Sequence, residues 1–190
     1  YAAAFGGFNV FEFNKDHSVR VNPVNISADT QRALEDRVFM FFTGITRDAS
    51  SVLTEQRQNI NDQDKFKVMQ EMAGQVDEFK DRLVRGDFPG MGKMLHEGWQ
   101  KKKSLAGNIS NGTLNNLYEA GMSAGAWGGK VLGAGGGGCL MFLADPSRRE
   151  ALKAALVSAG GLNNLIGSRE VPVRFTAAGS EVVLHQIRES

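Results

Sequence analysis

Cysteine is almost absent from this chain. The single Cys139 rules out an internal disulfide framework and fits a reducing compartment, which points to the cytoplasm. No apolar run approaches the roughly 20 residues that a membrane-spanning helix needs, so no membrane partner is expected. A charge excess is missing too. The 22 Lys and Arg residues against 21 Asp and Glu leave a net charge of +1, which argues against a general nucleic-acid binder. The three histidines, His17, His96 and His185, are scattered without metal-site or triad spacing, and each reads as an ordinary surface or sheet residue. Tyr1-Ala2-Ala3-Ala4-Phe5 has neither an initiating Met nor the basic start of a signal peptide. The expectation is that an N-terminal piece is missing.

What is present is ordinary soluble material: 42% hydrophobic and 23% charged residues over a length that permits one large or two small domains. Glycine is the exception, because it is concentrated. Five of the six residues from Gly133 to Gly138 are glycine. Such a run makes neither a stable helix nor a packed strand. It lies between apolar segments, so it is not a solvated linker. Backbone there is expected to approach something closely, and an anion held by successive N–H groups suits it best.

The rest of the chain alternates between strand and helix patterns. Phe8 to Phe13, and then Val19 and Val21 beyond the turn Asn14-Lys15-Asp16-His17, read as a hairpin. Ser27 or Asp29 can cap a short helix through Leu34. Val38-Phe39-Met40-Phe41-Phe42 reads as a strand buried on both faces. Val68, Met72, Val76, Phe79 and Leu83 recur at helical spacing and predict one long amphipathic helix, ended by Gly86-Asp87. Met91, Met94, Leu95 and Trp99 point to a second helix, weakened by Gly90, Gly92 and Gly98. Leu114, Leu117, Tyr118 and Met122 point to a third, after a turn at Asn111-Gly112, and the glycine run comes directly after it. Leu140 to Leu143 is a strand. Asp145-Pro146 starts a helix with the stripe Leu152, Ala155, Leu156 and Ala159, stopped by Gly160-Gly161. Val171, Val173 and Phe175 alternate as a strand, and Val182 to Leu184 returns after a turn at Ala178-Gly179-Ser180. The order from Arg37 onward predicts an α+β fold, with an antiparallel sheet covered by helices on one face.

The chemistry is harder to place. Gly133, Gly135 and Gly138 fit G-x-G-x-x-G, but a strand follows them where a dinucleotide fingerprint needs a helix. A P-loop needs Lys-Ser/Thr where Cys139-Leu140 stands. Lys130 either neutralises phosphate or is a solvated lysine at a helix end. Arg47 either holds an anion with its planar fork or lies on the surface. Lys101-Lys102-Lys103 is most simply a solvated face at a helix C-terminus, with contact to an anionic substrate as the other reading. No acidic residue stands out as a general base, and no catalytic or metal-ligating residue is assigned.

Gly129-Lys130-Val131-Leu132-Gly133-Ala134-Gly135-Gly136-Gly137-Gly138-Cys139 resembles the C-terminal signature of the GHMP kinases. Tyr1 to Asn9, Phe42 to Arg47 and Leu95 to Lys103 resemble the branch that phosphorylates D-glycero-D-manno-heptose 7-phosphate, which is similar to fucokinases. The resemblance implies ATP- and Mg²⁺-dependent phosphorylation of a sugar anomeric hydroxyl, towards nucleotide-activated heptose. It implies a ferredoxin-like second domain over residues 37–190, preceded by the tail of a ribosomal-protein-S5-like domain over 1–30. Gly133, Ala134, Gly135, Gly136, Gly137 and Gly138 would support the nucleotide. Thr46 and Arg47 would lie near the substrate, and Lys102 or Lys103 would approach its phosphate. The family's other phosphate loop and its acidic base would fall upstream of Tyr1, so the chain alone is expected to be nearly inactive. Apolar surface around Phe8, Phe11 and Phe13 would favour self-association, including a homodimer. The competing readings are a kinase of another sugar, a ferredoxin-like small-molecule sensor without catalysis, and a protein-interaction module.

Overall fold

A computed structural model describes residues 1–46, 54 and 62–181. Helix α1 (Ala2–Phe5) leads to the hairpin β1 (Asn9–Phe13) and β2 (Val19–Pro23), which stands apart as a two-stranded antiparallel sheet. Helix α2 (Ala28–Arg37) is capped by Ser27, whose hydroxyl accepts from the Thr30 N–H at 3.0 Å. It feeds straight into β3 (Val38–Phe42). Helices α3 (Gln63–Gly74), α4 (Val76–Arg85), α5 (Phe88–Lys103) and α6 (Gly112–Ser123) follow. Then come β4 (Ala126–Val131), β5 (Cys139–Ala144), α7 (Arg149–Leu162) and β6 (Arg169–Val171).

The main sheet has the order β4-β5-β3-β6, with antiparallel pairing throughout. Four strands in that order, connected strand–helices–strand–strand–helix–strand, make the ferredoxin-like arrangement. Strand alternation divides the sheet between two cores. Phe39, Phe41, Leu140, Phe142 and Val131 face one core, which is closed by Leu114, Leu117 and Tyr118 of α6 and by Leu152 and Leu156 of α7. Val38 and Leu143 face the other, together with Leu34, Leu83, Phe88 and Met91. Each fully buried large apolar side chain contributes about 1.5–3 kcal/mol, so these two cores hold the sheet in place.

Helix α5 lies unusually close to β4. A Cβ on Gly92 would sit 2.6 Å from the Trp127 Cβ, and one on Gly128 would run into the Gly92 carbonyl. The glycines expected to weaken α5 are therefore what lets it cross the strand. Asp87 caps this helix, accepting from the Gly90 N–H at 3.0 Å.

Several sequence expectations are corrected. The long helix over Val68 to Leu83 is two helices, parted at Gln75 after Gly74. The apolar spacing from Met72 to Val76 carries across the break, so the pattern could not reveal it. Gly160-Gly161 does not stop α7, which runs to Leu162. Gly160 is buried, and a Cβ there would sit 2.7 Å from Ser168 Oγ. The strand expected at Val171 to Phe175 ends at Val171, because Pro172 has no N–H for the ladder. Val173 and Phe175 pack instead, with the Phe175 ring 5.0 Å from that of Phe8. Strand β4 was missed altogether, since Trp127-Gly128-Gly129 has little strand propensity. The returning strand at Val182 to Leu184 lies outside the described residues. Of the three hairpin phenylalanines expected to be exposed, only Phe13 is; Phe8 and Phe11 are half-buried.

Candidate functional site

The site grows from the β4–β5 hairpin. Leu132 N–H donates to the Cys139 carbonyl at 2.8 Å, which closes the ladder and leaves residues 133–138 as the loop. Two of its amides are anchored. Gly136 N–H donates to Ile109 O at 2.7 Å, and Gly138 N–H donates to Ile45 O at 2.9 Å. Thr43 fixes the far end: its N–H and its hydroxyl donate to Gly138 O at 2.9 and 2.8 Å. Thr43 is fully buried, and its oxygen also accepts from the Ile45 N–H at 3.2 Å.

The remaining amides, those of Gly133, Ala134, Gly135 and Gly137, have no hydrogen-bond partner among the described residues. The loop borders a cleft of about 280 Å³ lined chiefly by Phe42, Ile45, Thr46, Leu132 and the loop itself. Backbone donors beside an open cleft can take an anion, because no described residue competes for them. Glycine is required by the loop's own geometry as well. Gly135 has φ 115°, and a Cβ there would meet Ile109 O at 2.6 Å. The loop is thus pressed against Ile109 on one side and Ile45 on the other, and it presents main chain to the cleft.

The predicted side chains divide. Thr46 lines the cleft. Arg47 lies outside the described residues. Lys102 reaches the loop, with Nζ donating to Gly133 O at 2.5 Å. Lys103 lies over the Trp99 ring instead, 5.9 Å from its centre. Lys101 forms an ion pair with Glu71 at 3.0 Å. The run of three lysines is therefore not one solvated face. Lys130 belongs to β4 and not to a helix end. Burial holds the Lys130 pKa below the ordinary lysine value. Burial does the same to Lys102, with the Lys130 charge as the second cause.

His96 also departs from its sequence reading. It is half-buried, with Nδ1 2.8 Å from Tyr118 Oη and the two rings stacked. The phenol donates to the Gly129 carbonyl at 3.3 Å, so a proton on His96 Nδ1 completes the chain of bonds. Burial raises the Tyr118 pKa well above its usual value. This network braces the strand that leads into the loop. The sequence signal for it was weak, because His96 and Tyr118 are 22 residues apart. Thr43 and Ile109 were missed as loop supports for the same reason.

Among the described residues, the cleft lining carries no carboxylate and no imidazole. Among the described residues, no three His, Cys, Asp or Glu side chains converge to hold a metal ion. What the arrangement offers is main-chain donors and lysine charge. No helix among the described residues is long and apolar enough to cross a membrane.

Residues 79–161 match the family described as GHMP kinases C terminal. The chain is 35% identical over 156 residues to a D-glycero-alpha-D-manno-heptose 7-phosphate kinase of Campylobacter jejuni; the match covers 82% of this chain and 46% of that protein. A crystal structure of a D-glycero-D-manno-heptose 1-phosphate kinase from Bacteroides thetaiotaomicron superposes with a TM-score of 0.65 at 28% identity, over 94% of this chain and 45% of that one. The L. major mevalonate kinase in complex with R-mevalonate shares the fold, with a TM-score of 0.72 at 20% identity over 93% of this chain and 52% of that one. The chain thus spans about half the length of the heptose kinase relative. The chain thus carries the C-terminal domain of the GHMP kinases, matched over residues 79–161, with a ferredoxin-like sheet and a glycine loop.

Proposed function

We propose that the chain is the C-terminal part of an ATP-dependent sugar kinase that phosphorylates the anomeric hydroxyl of D-glycero-D-manno-heptose 7-phosphate. The observation that carries this reading is the glycine loop, with four amides free of partners among the described residues, three of them on residues that line a cleft. The relative's heptose 7-phosphate specificity supports the choice of acceptor. A kinase acting on a different sugar keeps the same nucleotide side and changes only the acceptor.

In this reading the loop holds the nucleotide through main-chain donors, and Thr46, Arg47 and Lys102 form the acceptor side. Phosphoryl transfer needs positioning and charge stabilisation more than covalent chemistry, and main-chain donors with lysine charge provide both. The group that takes the hydroxyl proton is not among the described residues that line the cleft. The residues present fit ATP phosphates. Among the described residues no group of side chains forms a Mg²⁺ site, so no step is assigned to the metal.

The test is ADP release on incubation with ATP, Mg²⁺ and the heptose 7-phosphate. The complete enzyme should turn over, and the 190-residue chain should show little activity by itself. Transfer by the isolated chain at rates near those of the complete enzyme would defeat this division of labour.

A further inference from the structure

Beside the glycine loop, half of the second sheet face is only partly buried among the described residues. The strand register sets Lys130, Met141, Met40 and Val171 in one row across the four strands. Cys139, Phe42 and Arg169 form the next row. Directly paired residues share a face, so these side chains all lie on one side. Leu132, opposite Cys139, continues that row into the cleft. Most of these residues are half-buried, and Arg169 is exposed. The two rows contain two cations and no carboxylate.

The charges differ in how they are satisfied. Arg169 stacks over Phe42 and donates to Gly167 O at 3.0 Å. Lys102 comes from the end of α5 and anchors on Gly133 O, just beyond the end of β4, the strand that carries Lys130. The Lys130 charge helps to lower the Lys102 pKa. Neither lysine has a carboxylate partner among the described residues. Other cations do: Lys101 pairs with Glu71, Arg149 and Lys153 pair with Glu170, and Lys80 pairs with Asp77. Two partly desolvated ammonium groups set together without a counter-charge are unfavourable, and an anion between them removes the penalty.

We propose that Lys102 and Lys130 together form a phosphate-binding site at the edge of the glycine loop. One ammonium is anchored by the Gly133 carbonyl, and the other is carried on this sheet face. The ligand class is a phosphate monoester or polyphosphate. Which molecule brings that phosphate, the sugar or the nucleotide, rests on the kinase reading above. Lysine suits the task because its ammonium is a compact charge on a flexible stem, able to follow a tetrahedral anion.

The test uses the complete enzyme with Lys102→Met, Lys130→Met and Lys130→Arg, each first checked for an unchanged melting temperature. Calorimetric titration with inorganic phosphate should show each Met variant at least tenfold weaker than the parent, while Lys130→Arg stays within about threefold. A tenfold rise in the KM for heptose 7-phosphate, with the KM for ATP unchanged, assigns the site to the sugar phosphate. The reverse pattern assigns it to the nucleotide. Unchanged phosphate binding in both Met variants overturns the proposal. If the parent binds phosphate through these lysines yet transfers none to the sugar, the kinase reading fails and the site stands.

Discussion

Two glycine-rich regions adjoin in this molecule and use the residue in opposite ways. Where α5 crosses β4, Gly92 and Gly128 remove side chains so that main chain packs on main chain, and no space remains. In the loop over residues 133–138, glycine permits left-handed backbone and leaves amides facing a cleft. The first region closes a core and the second opens a site. A glycine count alone cannot tell the two apart. The difference lies in what stands opposite each missing Cβ.

Substitution sharpens that contrast. Gly128→Ala pushes a methyl group into the Gly92 carbonyl, which cannot move without shifting α5. It should destabilise the fold by roughly 3 kcal/mol or more, read by chemical denaturation. Gly133→Ala meets open space and is opposed only by its φ of 75°, so its stability loss should stay near about 1–2 kcal/mol. Equal losses at both positions would erase the distinction between a packing glycine and a loop glycine.

The network beside the crossing offers a finer test. Tyr118→Phe removes the phenol that joins His96 to the Gly129 carbonyl and leaves both buried without that partner. The expected loss is about 1–2 kcal/mol, with the loop still able to form. A neutral result would mean that the network does not brace β4.

The smallest effect is one of pH. The folded-state pKa values of Lys102 and Lys130 lie below their ordinary value, so the unfolded chain binds these protons more tightly. Stability should therefore rise as pH climbs through the lowered pKa values towards 10.5, the ordinary lysine value. Phosphate affinity should fall over the same range, since the ammonium charges are lost. Melting curves with and without phosphate read both trends, and parallel curves would separate the two lysines from anion binding.

Local chemistry was legible where neighbouring residues decide it. Ser27 caps a helix, and Val38–Phe42 and the Leu140 to Leu143 segment lie in buried strands, as expected. Even so, the pattern joined α3 to α4, because a continuous apolar stripe hides a break at Gln75. It also hid β4, because propensity counts Gly128 and Gly129 against a strand that α5 requires them to form.

The sequence by itself determined the α+β alternation, the family signature and the existence of a glycine loop, since each is written in contiguous residues. Only the tertiary structure decided which loop amides have no partner among the described residues, that Lys102 reaches Gly133 O beside the end of β4, and that Lys103 turns to Trp99. Those outcomes depend on α5 crossing β4 and on Ile45 and Ile109 flanking the loop. Contacts between residues far apart in the chain form only once packing has fixed both partners.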